Sequence, residues 1–245
     1  MAAKILMLDV ETSPIIGYAW VKYDTNLIEI IEPFRILSFA YKWLGEETVF
    51  VKALNDYKSY KPDKYDDSLL MKDLHGLLDA ADIIVTHNGD AFDIKKINTR
   101  LLVNGLKPPA TYKTVDTLKV ARKHFKFDSN KLNDLAQMLG IGKKVPHVGF
   151  ALWKACMAGD AAAWEVMKEY NQQDVVLLEE IYLRLRPWAV HPDVSLYEKK
   201  SETPVCPSCG GRHIQRRGTA VAKTRKYQRL NCQDCGTWFS GALEK

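Results

Sequence analysis

What this 245-residue chain lacks narrows its class before any motif is considered. No apolar run approaches the roughly 20 residues needed to cross a bilayer, which argues against a helical membrane span. The opening Met1-Ala2-Ala3-Lys4-Ile5-Leu6-Met7-Leu8-Asp9 has no long apolar stretch before its first acid. A secretory leader is therefore not expected, and the expected compartment is the cytosol. Cysteine is scarce where a disulfide scaffold would need it: of five, only Cys156 precedes residue 206. Internal repeats, a collagen-like period and low-complexity tracts are all missing. With 47% hydrophobic and 27% charged residues, the composition is that of a globular protein with a real core.

Net charge is also missing over most of the length. Residues 1–202 carry 27 Lys and Arg against 28 Asp and Glu, whereas residues 203–245 carry eight against two. Almost the whole excess of positive charge sits on a short tail, which points to a contact with a polyanion. Four cysteines fall in that same tail as two Cys-x-x-Cys pairs, which in a cytosolic chain read as metal ligands.

The first 187 residues alternate between the two periodicities. Residues 4–10 form a short apolar strand, and 35–43 and 48–54 are β-branched and aromatic around Gly45-Glu46-Glu47, the pattern of a hairpin. Leu69 to Ala80 has helical spacing, and 82–87 is an apolar strand ending at the turn signal Asn88-Gly89. Helices are expected over 92–103, 118–124, 130–139 and 161–185, with a strand closing at Val115-Asp116 and Pro187 stopping the last helix. The sum is an α/β domain over 1–187, a mixed sheet with helices packed on it. Residues 188–204 have no period and read as a linker to a unit over 205–245.

Three polar constellations interrupt this pattern. Asp9 and Glu11 end the first strand two residues apart, so both carboxylates leave the same face. They would repel unless a hard divalent cation such as Mg²⁺ or Mn²⁺ lay between them, although two solvated acids at a strand end give the same spacing. His87-Asn88-Gly89-Asp90-Ala91-Phe92-Asp93 is a strand-to-helix turn in which Asp90 or Asp93 could serve simply as a helix cap. Tyr170 and Asp174 are four apart and share one helical face, which suits either an exposed pair or a phenol and a carboxylate aimed at one site.

Taken together and in this order, Leu8-Asp9-Val10-Glu11-Thr12, His87-Asn88 through Phe92-Asp93, and Tyr170 to Asp174 resemble the three motifs of the DEDD 3′–5′ exonucleases. Tyrosine four before the last acid is similar to the DEDDy branch, which includes family-B polymerase proofreading domains. The resemblance spans roughly residues 4–187 and implies an RNase H-like fold with Asp9, Glu11, Asp93 and Asp174 around two Mg²⁺ or Mn²⁺ ions. It implies that Asp9 bridges both ions, that Glu11 and Asp174 hold the ion of the nucleophile, and that Asp93 supports the other through water. Tyr170, with an ordinary pKa near 10, is then a partner of the attacking water rather than a strong base. The implied reaction releases 5′-mononucleotides from a 3′ end, of DNA in the first instance; the alternatives are an exoribonuclease and a catalytically inactive, nucleic-acid-binding zinc-ribbon adaptor. A polymerase or replication protein acting in trans is a further expected partner. Asn88 either fixes its turn or touches the terminal nucleotide, and Phe92 either packs in the core, which composition favours, or lies under the terminal base. Asp116 reads as a structural acid, His147 as a surface histidine and Cys156 as a buried thiol.

Cys206-Pro207-Ser208-Cys209-Gly210 and Cys232-Gln233-Asp234-Cys235-Gly236 are two matching knuckles with the spacing of a Cys₄ structural zinc site. One Zn²⁺ would supply folding energy that about 40 residues cannot draw from their own core. Between and beside the knuckles run Arg212, Arg216, Arg217, Lys223, Arg225, Lys226 and Arg229, with Tyr227 and Trp238-Phe239. Cations for phosphate and aromatics for bases suit nucleic acid, and a protein-docking face is the alternative. The segment is similar to the zinc ribbons of transposases and other nucleic-acid enzymes.

Overall fold

The computed structural model describes residues 2–23, 26–144, 149–198 and 203–243. Strands β1 (Ile5–Thr12), β4 (Ile36–Trp43) and β5 (Phe50–Ala53) are antiparallel neighbours, while β6 (Ile83–Thr86) and β7 (Lys113–Asp116) run parallel to β1. The five form one sheet in the order β5-β4-β1-β6-β7. Strand β1 thus lies where the sheet changes from antiparallel to parallel. Between β1 and β4 the chain makes a separate antiparallel ribbon of β2 (Ile16–Tyr18) and β3 (Glu29–Glu32), which the sequence did not announce.

Alternation along β1 sorts its side chains between two layers. Leu6, Leu8 and Val10 face α1 (Ser68–Ala80) and α2 (Asp93–Val103), packing with Leu70, Leu74, Leu78 and Ile97. Ile5 and Met7 face the other way, into a core built with Leu135 of α4 (Leu132–Met138) and with Val175, Leu178 and Ile181 of α6 (Ala161–Leu185). Helix α3 (Thr117–His124) adds Ala121 to that layer. Helix α5 (Phe150–Ala158) packs with α6 around the buried Trp164 and Cys156, so Cys156 is the interior thiol expected. On the first layer Arg100 makes a buried two-pronged pair with Asp67 at 2.7 and 2.8 Å, fastening α2 to the start of α1.

The expected strands and helices of the first 187 residues match this order within a few residues. The segment read as a linker is more structured than a tether where it is described. A short 3-10 turn at Arg186–Trp188 leads into it, a second at Val194–Tyr197 lies within it, and Val194 is buried against the α6 layer. Beyond it, β8 (Ile214–Val221), β9 (Lys226–Cys232) and β10 (Trp238–Leu243) make a three-stranded antiparallel sheet in the order β10-β9-β8. Among the described residues, no helix is long and apolar enough to cross a membrane.

Candidate active site and metal centres

The odd-numbered register that sends Ile5 and Met7 toward α6 continues to Asp9 and Glu11, so both carboxylates face that helix. An irregularity in the β1–β4 pairing between Glu11 and Thr12 ends the ladder at this point. On α6 the stripe that meets the sheet includes Asn171, Asp174, Val175 and Leu178, which are three or four residues apart and all buried. Two of those core-facing positions are polar. Their ligand-capable neighbours meet there: one oxygen each of Asp9, Glu11 and Asp174 lie within 4.8 Å of one another.

Asp93 arrives from the opposite layer. The turn after β6 is held by Asp116, whose carboxylate accepts from the backbone N–H groups of Asn88 (2.8 Å) and Asp90 (3.4 Å) and also caps α3. Asn88 takes a left-handed φ of 68°, and a side chain on Gly89 would lie 2.2 Å from Thr86 Oγ1. His87 is fixed on both ring nitrogens, by Thr117 and by the Asn130 carbonyl. So constrained, the turn starts α2 at Asp93, whose Oδ1 accepts from the Val10 N–H at 3.2 Å. That bond joins the first and second acidic segments; Asp93 stands beside the other three acids rather than within their closest group. Asp90 instead pairs with Lys119 at the surface.

Burial is the main reason these acids hold their protons, and mutual repulsion adds to it. Burial and then the charges of Asp174 and Glu11 raise Asp9 well above the carboxylate range. Glu11 is pushed up to about 8 by burial and Asp174, and Asp93 to about 7 by burial. Burial and the Asp174 charge push Tyr170 up to about 12, above the ordinary value expected for it, so the phenol keeps its proton at neutral pH.

Four residues in this site had escaped the sequence reading. Asn171 donates to Asp9 Oδ2 at 2.6 Å and accepts from Ser38 Oγ at 2.9 Å. Trp153 hydrogen-bonds Glu11 and meets the Tyr170 ring edge-on at 6.0 Å. Lys144 donates to Tyr170 Oη at 2.9 Å and pairs with Asp174. Asn171 could have been found as a polar residue in the apolar stripe of α6; the loop residue Lys144 has no such signal.

Beside the acids opens a cleft of about 560 Å³, walled by Thr12, Pro14, Ile15, Lys96, Phe150 and Trp153. It is mostly apolar with one cation, and one end is shared with the carboxylates through Trp153. Phe92 is not the core residue its composition suggested: it is 40% exposed, with the Lys96 ammonium 5.6 Å from its ring centre. His147 lies outside the described residues.

The donor sets suit two kinds of metal. Converging buried carboxylates with raised pKa values call for positive charge, and oxygen-only ligands suit Mg²⁺ or Mn²⁺. At the other end of the chain, the sulfurs of Cys206, Cys209, Cys232 and Cys235 lie within 4.8 Å of one another. The Cys206–Cys235 and Cys209–Cys232 sulfur pairs are each 3.6 Å apart. Tetrahedral thiolates around Zn²⁺ would be separated by about 3.8 Å, so the set fits a zinc ribbon. Each knuckle ends on a left-handed glycine, Gly210 (φ 75°) and Gly236 (φ 80°), which explains the shared Cys-x-x-Cys-Gly. His213 bonds to Asp234 and stands apart from the thiol set.

Arg216, Arg217, Lys223, Arg225, Lys226 and Arg229 are all exposed on β8, β9 and the turn between them. Arg229 lies 5.2 Å from the ring centre of Trp238, itself half exposed. The connecting segment is tied on both sides: its Val194 N–H donates to the Pro207 carbonyl at 2.8 Å, and Tyr182 Oη of α6 meets its His191 Nε2 at 2.6 Å.

Comparison with known proteins agrees with this architecture. A search of curated proteins found no match. Among solved structures, the family B DNA polymerase of the hyperthermophilic archaeon Pyrobaculum calidifontis matches with a TM-score of 0.57 and 16% identity. That match covers 76% of this chain and 25% of the polymerase chain, so this chain spans a minor part of that protein's length. The likeness is one of fold. The family model of the RNase H superfamily matches residues 39–186, more than half of the chain; Asp93 and Asp174 lie inside the match, and β1 with Asp9 and Glu11 precedes it. With its mixed five-stranded sheet and flanking helices, the chain belongs to the RNase H superfamily.

Proposed function

We propose that this protein is a divalent-metal-dependent 3′–5′ exonuclease of the DEDDy type, acting on DNA and releasing 5′-mononucleotides. The observation that carries the reading is the convergence of Asp9, Glu11 and Asp174 within 4.8 Å, with Asp93 tied to β1 beside them and Tyr170 on the same helical face as Asp174. Asp9, Glu11 and Asp174 would hold the divalent ions, with Asp93 in support. When bound, such ions lower the pKa of water and stabilise charge on the leaving oxygen of an in-line displacement. The protein's own groups do the rest. Asn171 keeps Asp9 oriented, and Trp153 does the same for Glu11. The protonated Tyr170 hydroxyl aligns the attacking water by hydrogen bonding. The cleft beside Phe150 and Ile15 receives the terminal nucleotide and excludes bulk water, and Asn88 and Phe92 are further contacts to the nucleic acid in this reading.

In this reading residues 1–187 are the nuclease unit, 188–204 the connection and 205–245 a zinc ribbon. Arg216, Arg217, Lys223, Arg225, Lys226 and Arg229 on the ribbon hold the phosphate backbone of the substrate. A polymerase or replication protein in trans is a partner consistent with this activity.

The test uses 5′-labelled single-stranded, recessed and blunt DNA with matching RNA, in Mg²⁺ or Mn²⁺, beside an Asp9→Ala/Glu11→Ala variant. A ladder shrinking from the 3′ end, lost in the variant, is the expected result. Preferential shortening of the RNA would make the protein an exoribonuclease. A folded, zinc-loaded protein that binds DNA and degrades nothing would refute the enzyme.

A further inference from the structure

The carboxylate cluster carries a cation of its own. Lys144 lies in the loop after α4, where its backbone N–H is pinned by Asn133 Oδ1 at 2.9 Å. From there its ammonium donates to Asp174 Oδ2 and to Tyr170 Oη, the latter at 2.9 Å, and lies 4.9 Å from the centre of the Tyr170 ring. The Asp174 side chain is 3% exposed and that of Lys144 26%, so this pair is largely shielded, unlike a solvated surface bridge. Its acid is one of the three whose oxygens converge within 4.8 Å. Among the described residues, the ion pair made with the four acids is this one.

We infer that Lys144 is a resident counter-ion of the cluster: it holds Asp174 and Tyr170 in place while no divalent ion is bound, and a divalent ion must compete with it for Asp174. This rests on the divalent-ion site proposed above. An ammonium already bound to one oxygen of Asp174 repels a divalent cation approaching the same carboxylate, and the part-buried setting screens that repulsion weakly. The same contact offsets the repulsion between Asp174 and its neighbours, so the apo site stays assembled. Lys144 therefore sets the divalent-ion concentration at which the site fills, and it is a positioning residue rather than a catalytic one.

The experiment measures Mn²⁺ binding by electron paramagnetic resonance, and melting with and without Mn²⁺, on the zinc-loaded full chain. Wild type is compared with Lys144→Met, Lys144→Arg and Asp9→Ala/Glu11→Ala; Lys144→Gln replaces the methionine variant if that does not fold. Lys144→Met is expected to bind Mn²⁺ at least about tenfold more tightly than wild type. It should also melt lower without Mn²⁺, with the gap closing at saturation. Lys144→Arg, which keeps the charge, should stay near wild type in both respects. Equal or weaker Mn²⁺ binding by Lys144→Met, or an unchanged melting temperature of its metal-free form, overturns the inference. Mn²⁺ binding that survives Asp9→Ala/Glu11→Ala undiminished refutes the divalent-ion site itself, whatever Lys144 does.

Discussion

The Asn171 side-chain amide donates to Asp9 Oδ2 at 2.6 Å while its oxygen accepts from Ser38 Oγ at 2.9 Å, so one buried amide on α6 fixes the central carboxylate of β1. Asn171→Leu removes both bonds and leaves Asp9 free to turn. Loss of such a supporting contact typically costs 10- to 100-fold in activity or metal affinity, and about that loss in kcat/KM is expected here. Ser38→Ala should lose less, because Asn171 keeps its bond to Asp9. Steady-state kinetics on labelled DNA decides it; wild-type kinetics for Asn171→Leu would show that Asp9 needs no such support.

Stability without divalent ions should fall as pH rises. In the unfolded chain Asp and Glu ionise near about pH 4. In the fold, Glu11 holds its proton to about 8, Asp93 to about 7, and Asp9 well above its usual range, burial being the first cause in each. Between those limits the folded state binds more protons than the unfolded one, so the slope of stability with pH is negative. The melting temperature should decline as pH rises from about 5 through 8, and go on declining while Glu11 and Asp9 finish losing their protons. Saturating Mn²⁺ should remove the decline, because its binding favours the ionised acids. A flat metal-free profile would contradict the raised pKa values.

Tyr170→Phe should lower kcat by about 10² with little change in KM, the scale of a lost water-orienting or proton-handling contact. Because burial and Asp174 push the phenol up to about 12, ionised Tyr170 is scarce at neutral pH. No limb of the wild-type pH–rate profile near 10 should therefore disappear in the variant. A kcat equal to wild type would assign Tyr170 to packing against Trp153.

Zinc removal should unfold the tail and reach beyond it. The three strands β8 to β10 bury few large side chains, so their fold depends on the Cys₄ set. The knuckle at Pro207 also bonds to Val194, which is buried in the α6 layer. Cys206→Ser/Cys232→Ser is expected to abolish zinc binding and to lower the melting temperature of residues 1–187 by a few degrees. Calorimetry and zinc release with a thiol-reactive dye measure both. Unchanged melting of the main domain would mean that the two units are energetically separate.

Replacing Arg216, Arg217, Lys226 and Arg229 by Gln should weaken binding to single-stranded DNA and flatten its salt dependence. Each phosphate contact contributes a slope of about 0.7 in log K against log salt, so four lost contacts should reduce it by about 3. Titrations at several salt concentrations test this, with Trp238 fluorescence as a local signal. An unaltered slope would favour a protein-docking role for the ribbon.

Much of this was legible in the chain itself. The apolar runs at β1 and β6, the amphipathic spacing of α1 and α2 and the uninterrupted α6 follow from local periodicity, and local periodicity survived folding. The spacing of Asp9 and Glu11 also foretold a shared face, because strand alternation is indifferent to what lies around it. The ribbon β2–β3 was missed because its strands have only three and four residues, too few for a period to be read. Phe92 was assigned to the core on composition, which cannot see that the helix it precedes begins at the rim of a cleft.

The sequence by itself determined which elements form, which acids share a face and which four cysteines have metal spacing, because those properties depend on neighbours a few residues away. Only the tertiary structure decided what meets across the chain. Val10 bonds Asp93 over 83 positions, Asn171 bonds Asp9 over 162, and Lys144 joins Asp174 from a loop 30 positions away. Those contacts depend on sheet order and on α6 crossing the end of β1, and such distances leave no mark in local spacing.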